Sequence, residues 1–171
     1  EYKPPVYETG GLTLATSSIR RFTPDTLDPK IHHCNLIQSI MAKIEASAAG
    51  ADDAIMLDSR GFIAETNATH LFFVKDGYIC TSRAIACPEG ITRQSVIDLC
   101  HEHDFDIRIK DCSLMELYRA DECFCTGTMG ELASVTIADG RTIGDGNIGP
   151  MTERLTELFK KLVEDTGTKI V

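Results

Sequence analysis

The stretch 51–74, ADDAIMLDSRGFIAETNATHLFFV, constrains the chain more than any other, because a lone carboxylate, Glu65, stands mid-pattern between apolar runs with strand character. Asp53 to Asp58 is a short apolar run and Ser59-Arg60-Gly61 a turn. Phe62 to Thr66 resumes an extended pattern, and His70 to Val74 follows as a further strand closed by Lys75-Asp76-Gly77. The pattern predicts a meander with Glu65 near its middle. A carboxylate leaving a strand among apolar neighbours is costly to bury unless a cation or a proton donor meets it. Glu65 therefore requires a partner.

Upstream, the β-branched alternation from Leu12 to Arg20 predicts a strand, and a loop runs on through Pro24 and Pro29. Asn35 is placed to cap a helix. In that helix Leu36, Ile37, Ile40, Met41 and Ile44 fall at helical spacing, and Gly50 is placed to stop it. The stripe reads as core packing. The segment before it, Asp28-Pro29-Lys30-Ile31-His32-His33-Cys34-Asn35, sets a lysine and two histidines beside the Glu65 strands, and a plain surface loop is an equal reading of the residues alone.

Downstream, Ile79 to Ser82 is extended, and the turn Cys87-Pro88-Glu89-Gly90 opens onto a helix at Ile91-Thr92-Arg93. A helix start leaves unpaired N–H groups and a positive dipole end, which suits a phosphate. A strand from Cys123 to Thr126 runs into Gly127-Thr128-Met129-Gly130, where glycines let backbone amides approach an anion closely. Two such turns in one small domain carry more weight than either. Phe105 to Lys110 alternates as a strand, Ser113 to Tyr118 is a short helix, and Pro150 opens a last helix with Met151, Leu155, Leu158, Phe159 and Leu162 on its apolar side.

A length of 171 residues and a hydrophobic fraction of 43% suit one domain with a real core. The net charge of −9, from 17 Lys+Arg against 26 Asp+Glu, excludes nucleic acid and an anionic membrane surface as principal partners. Seven cysteines in no metal-like spacing predict free thiols in a reducing, cytoplasmic setting, with Cys123 and Cys125 buried on one face of a strand. The opening EYKPPVYETGG has linker character. It divides the chain into a linker at 1–11 and a domain at 12–171, and it implies a longer protein with a further domain upstream. An apolar face is expected around Leu12 to Arg20 and Glu65, where that upstream part packs.

Three blocks, GADDAIMLDSRGFIAETNATHLFFV, EGITRQSVIDL and CTGTMGELASV, occur in this order and resemble the C-terminal half of a class IV pyridoxal-phosphate aminotransferase. That family includes the branched-chain and D-amino-acid aminotransferases and aminodeoxychorismate lyase, and the resemblance runs from about Gly11 to Phe159. It implies an α+β fold, with a mixed sheet curved around the cofactor site and helices outside. It further implies a smaller N-terminal domain, an active site between the two domains, and a homodimer. By resemblance Glu65 meets the cofactor's ring nitrogen, and Ile91 and Thr92 begin the phosphate-binding helix. Thr128 with the backbone at Met129 serves phosphate and substrate carboxylate.

Two positions depart from the family pattern. His70 stands where an asparagine is usual. Where the family commonly reads Asp-Pro-Arg-Ile-Lys-His-x-Asn, this chain reads Asp28-Pro29-Lys30-Ile31-His32-His33-Cys34-Asn35, so that His32 takes the lysine's place. Lys30, two residues upstream, is the candidate for cofactor anchor and proton shuttle. The implied function is amino-group transfer between an amino acid and a 2-oxo acid with pyridoxal phosphate. Branched-chain substrates come first, and D-amino acids or aminodeoxychorismate cleavage are the alternatives. The rival from another class is a non-catalytic homologue holding a phosphate-bearing ligand or a protein partner.

Overall fold

The computed structural model describes residues 10–167, so the linker expected at 1–11 lies almost wholly outside the described residues. Strands β1 (Leu12–Arg20), β2 (Asp53–Leu57), β3 (Ile63–Thr66), β4 (His70–Lys75), β5 (Tyr78–Ser82), β6 (Ile107–Lys110), β7 (Glu122–Gly127), β8 (Glu131–Ala138) and β9 (Arg141–Thr142) form one mixed sheet. Helices α1 (Ile37–Ala48), α2 (Ile91–Glu102), α3 (Leu114–Tyr118) and α4 (Pro150–Thr166) connect them. The strand order is β3-β2-β1-β8-β7-β4-β5-β6, with β9 added to β8. No helix among the described residues is long and apolar enough to cross a membrane.

Strand β8 joins the two parts of the sheet. Its first half pairs antiparallel with β7, and its second half pairs parallel with β1. The alternation Leu132, Ser134, Thr136 against Ala133, Val135, Ile137 is its signal in the sequence, although no element is assigned there above. Strand β4 is buried along its middle, and successive residues feed opposite cores: Leu71 and Phe73 join one cluster, Phe72 and Val74 the other. In the second cluster Phe72 stacks on Phe124 with centroids 5.1 Å apart, beneath Val96 and Ile97 of α2 and Leu155 of α4. His70, in phase with Phe72, therefore faces the α2 side.

The expected meander breaks after Glu65. Strands β2 and β3 pair antiparallel with Met56 opposite Glu65, but β4 leaves β3 and pairs with β5 and β7. The cause is local. Thr66 Oγ1 and N–H both donate to Thr69 O, closing a tight turn, while Asn67 exchanges hydrogen bonds with the backbone of Ala54 in β2. The turn sends the chain away from the open edge of β3, which remains the end of the sheet.

Helix α1 corrects two further expectations. Asn35 does not cap it; its N–H donates to His33 Nδ1, and Leu36 occupies the cap with no side-chain bond. The apolar stripe is not core packing either: Leu36, Ile37, Ile40, Met41 and Ile44 are 44–57% exposed. Ala42 and Ala46 face inward instead, against Ala54 and Met56, because only small side chains let the helix lie close on β1 and β2. The apolar face expected at β1 and Glu65 is likewise displaced, since the chain itself encloses Leu12, Leu14 and Glu65. The exposed apolar face belongs to α1.

Candidate active site

Glu65 is only 4% exposed, and its partner is Arg21, which follows the last residue of β1. The Arg21 N–H donates to Leu57 O, fixing its backbone beside β2. From there the guanidinium reaches Ser39 Oγ on α1 at 3.1 Å, Thr66 O at 2.9 Å and Glu65 Oε1 at 2.7 Å. The last contact is ionic but not aligned as a hydrogen bond, and Glu65 Oε1 is buried with no hydrogen-bond donor. Burial pushes the Glu65 carboxyl up to about 7, although Arg21 pulls it down. The carboxylate is thus poised to take a further N–H donor.

His70 Nε2 lies 3.9 Å from Glu65 Oε2 and 2.8 Å from Pro88 O. A carbonyl only accepts, so Nε2 carries the proton and Nδ1 does not. Burial, with Arg93 and Arg21 nearby, pushes His70 down to about 4 despite the Pro88 bond, so it is neutral at pH 7 and is no counter-ion for Glu65. The Cys87 thiol, pushed up to about 12 by burial and then by Glu65, is unreactive.

A cavity of about 310 Å³ opens beside these groups. Arg21, Glu65 and Asn67 form one part of its wall, and His32, His33 and Gln38 another. Arg21 and Asn67 carry no sequence motif, but the pair Arg20-Arg21 at the end of a strand was a legible answer to the cation that Glu65 demands.

The two glycine turns meet around His70. Gly90, with φ +72°, has its backbone so close to the imidazole that a Cβ there would stand 2.4 Å from His70 Cε1. On the other side, His70 pairs with Thr126 across β4 and β7, and Gly127 packs on Thr69. The first-turn amides of α2 at Ile91 and Thr92 have no side-chain cap, and Ile91 is 89% exposed. Thr128 and Met129 form an exposed turn between β7 and β8, next to Thr126, whose buried Oγ1 makes no hydrogen bond. Gly90, ahead of Ile91 and Thr92, thus packs on His70, and Gly127, ahead of Thr128 and Met129, packs on the neighbouring Thr69, while none of those four residues lines the cavity beside Glu65. Lys30 does not line the cavity either, its side chain is 49% exposed, and its Nζ lies 3.9 Å from the exposed Glu89.

The family model for class IV amino-transferases matches residues 1–138. The chain belongs to the class IV aminotransferases. This member is 49% identical over 171 residues to the branched-chain-amino-acid aminotransferase-like protein 2 of Arabidopsis thaliana, covering 99% of the chain and 31% of that protein. It is 38% identical over 164 residues to the branched-chain-amino-acid aminotransferase of Pseudomonas aeruginosa, covering 90% of the chain and 50% of that protein. The branched-chain amino acid aminotransferase of Thermobaculum terrenum, solved in its PLP form, superposes with a TM-score of 0.87 at 30% identity, over 91% of this chain and 52% of that one. The fold is therefore the class IV aminotransferase fold, and the chain spans between about a third and about half of these relatives.

Proposed function

We propose that the protein carrying this chain is a pyridoxal-phosphate-dependent aminotransferase. It would move an amino group between an amino acid, branched-chain by preference, and a 2-oxo acid. The observation that carries the reading is the buried Glu65 with its donor-less Oε1 on a cavity that Pro88, just ahead of the Gly90 turn, also lines. A ligand that fits must bring an N–H to Glu65 and an anion to Ile91, Thr92 and Thr128, and pyridoxal phosphate has both. When bound, this cofactor supplies an electron sink for the substrate's α-carbon. Glu65, backed by Arg21, would hold a proton at the ring nitrogen. The amides of Ile91 and Thr92 and the Thr128 hydroxyl would hold the phosphate, and the Met129 amide is available to a substrate carboxylate. Neutral His70 would keep the two turns apart at a fixed spacing and add no charge.

The part of the protein outside this chain would complete the site as an N-terminal domain joined by the linker at 1–11. The α1 stripe, apolar over three turns and free of charge, is self-complementary, and we assign it to a second copy in a homodimer. The free cysteines fit a cytoplasmic setting. A second reading, a non-catalytic cofactor-holding homologue, is favoured by the placement of Lys30 outside the cavity. In the test, full-length protein is dialysed against pyridoxal phosphate and then assayed for amino transfer from branched-chain and from D-amino acids to a 2-oxo acid. Retention lost in Glu65→Ala, with transfer, supports the enzyme. Retention without transfer supports the second reading, and no retention refutes both.

A further inference from the structure

Pyridoxal phosphate is held covalently where a lysine amine can reach its aldehyde. Six lysines fall among the described residues, and none lines the cavity beside Glu65. Lys30 turns to Glu89, Lys43 to Asp53 and the Asp52 carbonyl, Lys75 to Asp121, and Lys110 to Glu116, while Lys160 and Lys161 are exposed on α4. Of the basic groups on the loop that walls the cavity, the two that line it are imidazoles. His33 is engaged, since its Nδ1 accepts from the Asn35 N–H at 3.1 Å. His32 makes no hydrogen bond or ion pair to any described residue, and, though exposed, it is among the residues that line the same cavity as Glu65.

We infer that this site takes the amine form of the cofactor, pyridoxamine phosphate, without a covalent link to any lysine, and that His32 is the group that receives that amine. The inference rests on the cofactor reading above. A primary amine condenses with an aldehyde by losing water. A neutral imidazole cannot complete that loss, but its free nitrogen accepts a hydrogen bond from an ammonium group. The aldehyde form offers His32 no such donor. One charge-assisted hydrogen bond then favours the amine form over the aldehyde by about tenfold or more.

The test uses the full-length protein, loaded separately with pyridoxamine phosphate and pyridoxal phosphate. Retention is measured by equilibrium dialysis, and the aldehyde-loaded sample is reduced with borohydride, digested and analysed by mass spectrometry. If a lysine were the anchor, its Nζ would replace the aldehyde oxygen, which leaves as water. Borohydride would then add hydride to the C=N carbon, leaving a stable pyridoxyl group on that lysine. The expected result is no such adduct, with pyridoxamine phosphate held about tenfold more tightly. His32→Lys should acquire an adduct at position 32, and Lys30→Ala should change neither retention nor labelling. An adduct on Lys30, or on any other lysine of the unaltered protein, overturns the inference and leaves the cofactor reading standing. Equal retention of both forms, unmoved by His32→Ala, overturns the role given to His32. Retention of neither form overturns the cofactor reading and the inference together.

Discussion

Replacing Glu65 by glutamine is expected to stabilise the protein, and only at pH values where the carboxyl would be ionised. Burial raises Glu65 from its ordinary value of 4.5 to about 7, with Arg21 opposing. At about 1.36 kcal/mol per pH unit, ionising it in the folded protein costs roughly 3 kcal/mol more than in the unfolded chain. Between pH 4.5 and 7 the folded state keeps a proton that the unfolded state has lost. Stability from this group therefore falls as pH rises through that window, with the full cost present above 7 and none below 4.5. His70 works in the opposite sense. Its value is pushed from 6.5 down to about 4, so stability is lost as pH falls through that range, again by roughly 3 kcal/mol.

In the unaltered protein the two slopes nearly cancel, and only the difference between variant and parent isolates Glu65. Glutamine keeps the shape and removes the charge. Arg21 retains its bonds to Ser39 and Thr66, so the lost Glu65 contact offsets part of the gain and about 3 kcal/mol is an upper bound. The assay is denaturant unfolding of cofactor-free full-length protein from about pH 4.5 to about pH 8, the range that spans the Glu65 titration. Glu65→Gln should be more stable at the alkaline end, the difference should vanish at the acid end, and the variant should expose the His70 slope. A difference that does not change with pH, or a variant less stable at the alkaline end, would refute burial as the dominant force on Glu65.

Gly90→Ala places a Cβ 2.4 Å from the His70 ring at a left-handed φ; it should cost about 2 kcal/mol or more, seen as a lower melting temperature, and should weaken retention of pyridoxal phosphate by shifting the first turn of α2. Ile40→Glu, in the exposed stripe of α1, should leave the melting temperature of this domain nearly unchanged and convert the full-length protein to monomers in sedimentation. An unchanged oligomer with a lowered melting temperature would assign that face to the N-terminal domain instead.

Strand patterns and glycine turns were legible because each is written in adjacent residues. The demand of Glu65 for a cation was legible too, although Arg21 answers it from a distant strand end. What a pattern cannot state is which surface an apolar face meets. The α1 stripe has the periodicity of a core helix, yet the core side of α1 is the alanine pair Ala42 and Ala46 and the stripe itself is exposed, because periodicity records an apolar face and not what covers it.

The lysine posed a different difficulty, one of direction and not of burial. Two residues of slack between Lys30 and the position of His32 look small, and a loop of variable length could in principle absorb them. The structure closes that segment into a turn. Asp28 Oδ1 accepts the Lys30 N–H at 3.0 Å, and Asp28 O accepts the Ile31 N–H at 3.0 Å, so the segment is a closed turn pinned at its acidic end, with Pro29 buried beneath it. From that turn the Lys30 amine runs to Glu89. His32, on the same loop, lines the cavity directly, so labelling at Lys30 against labelling at none is the observation that separates the two residues.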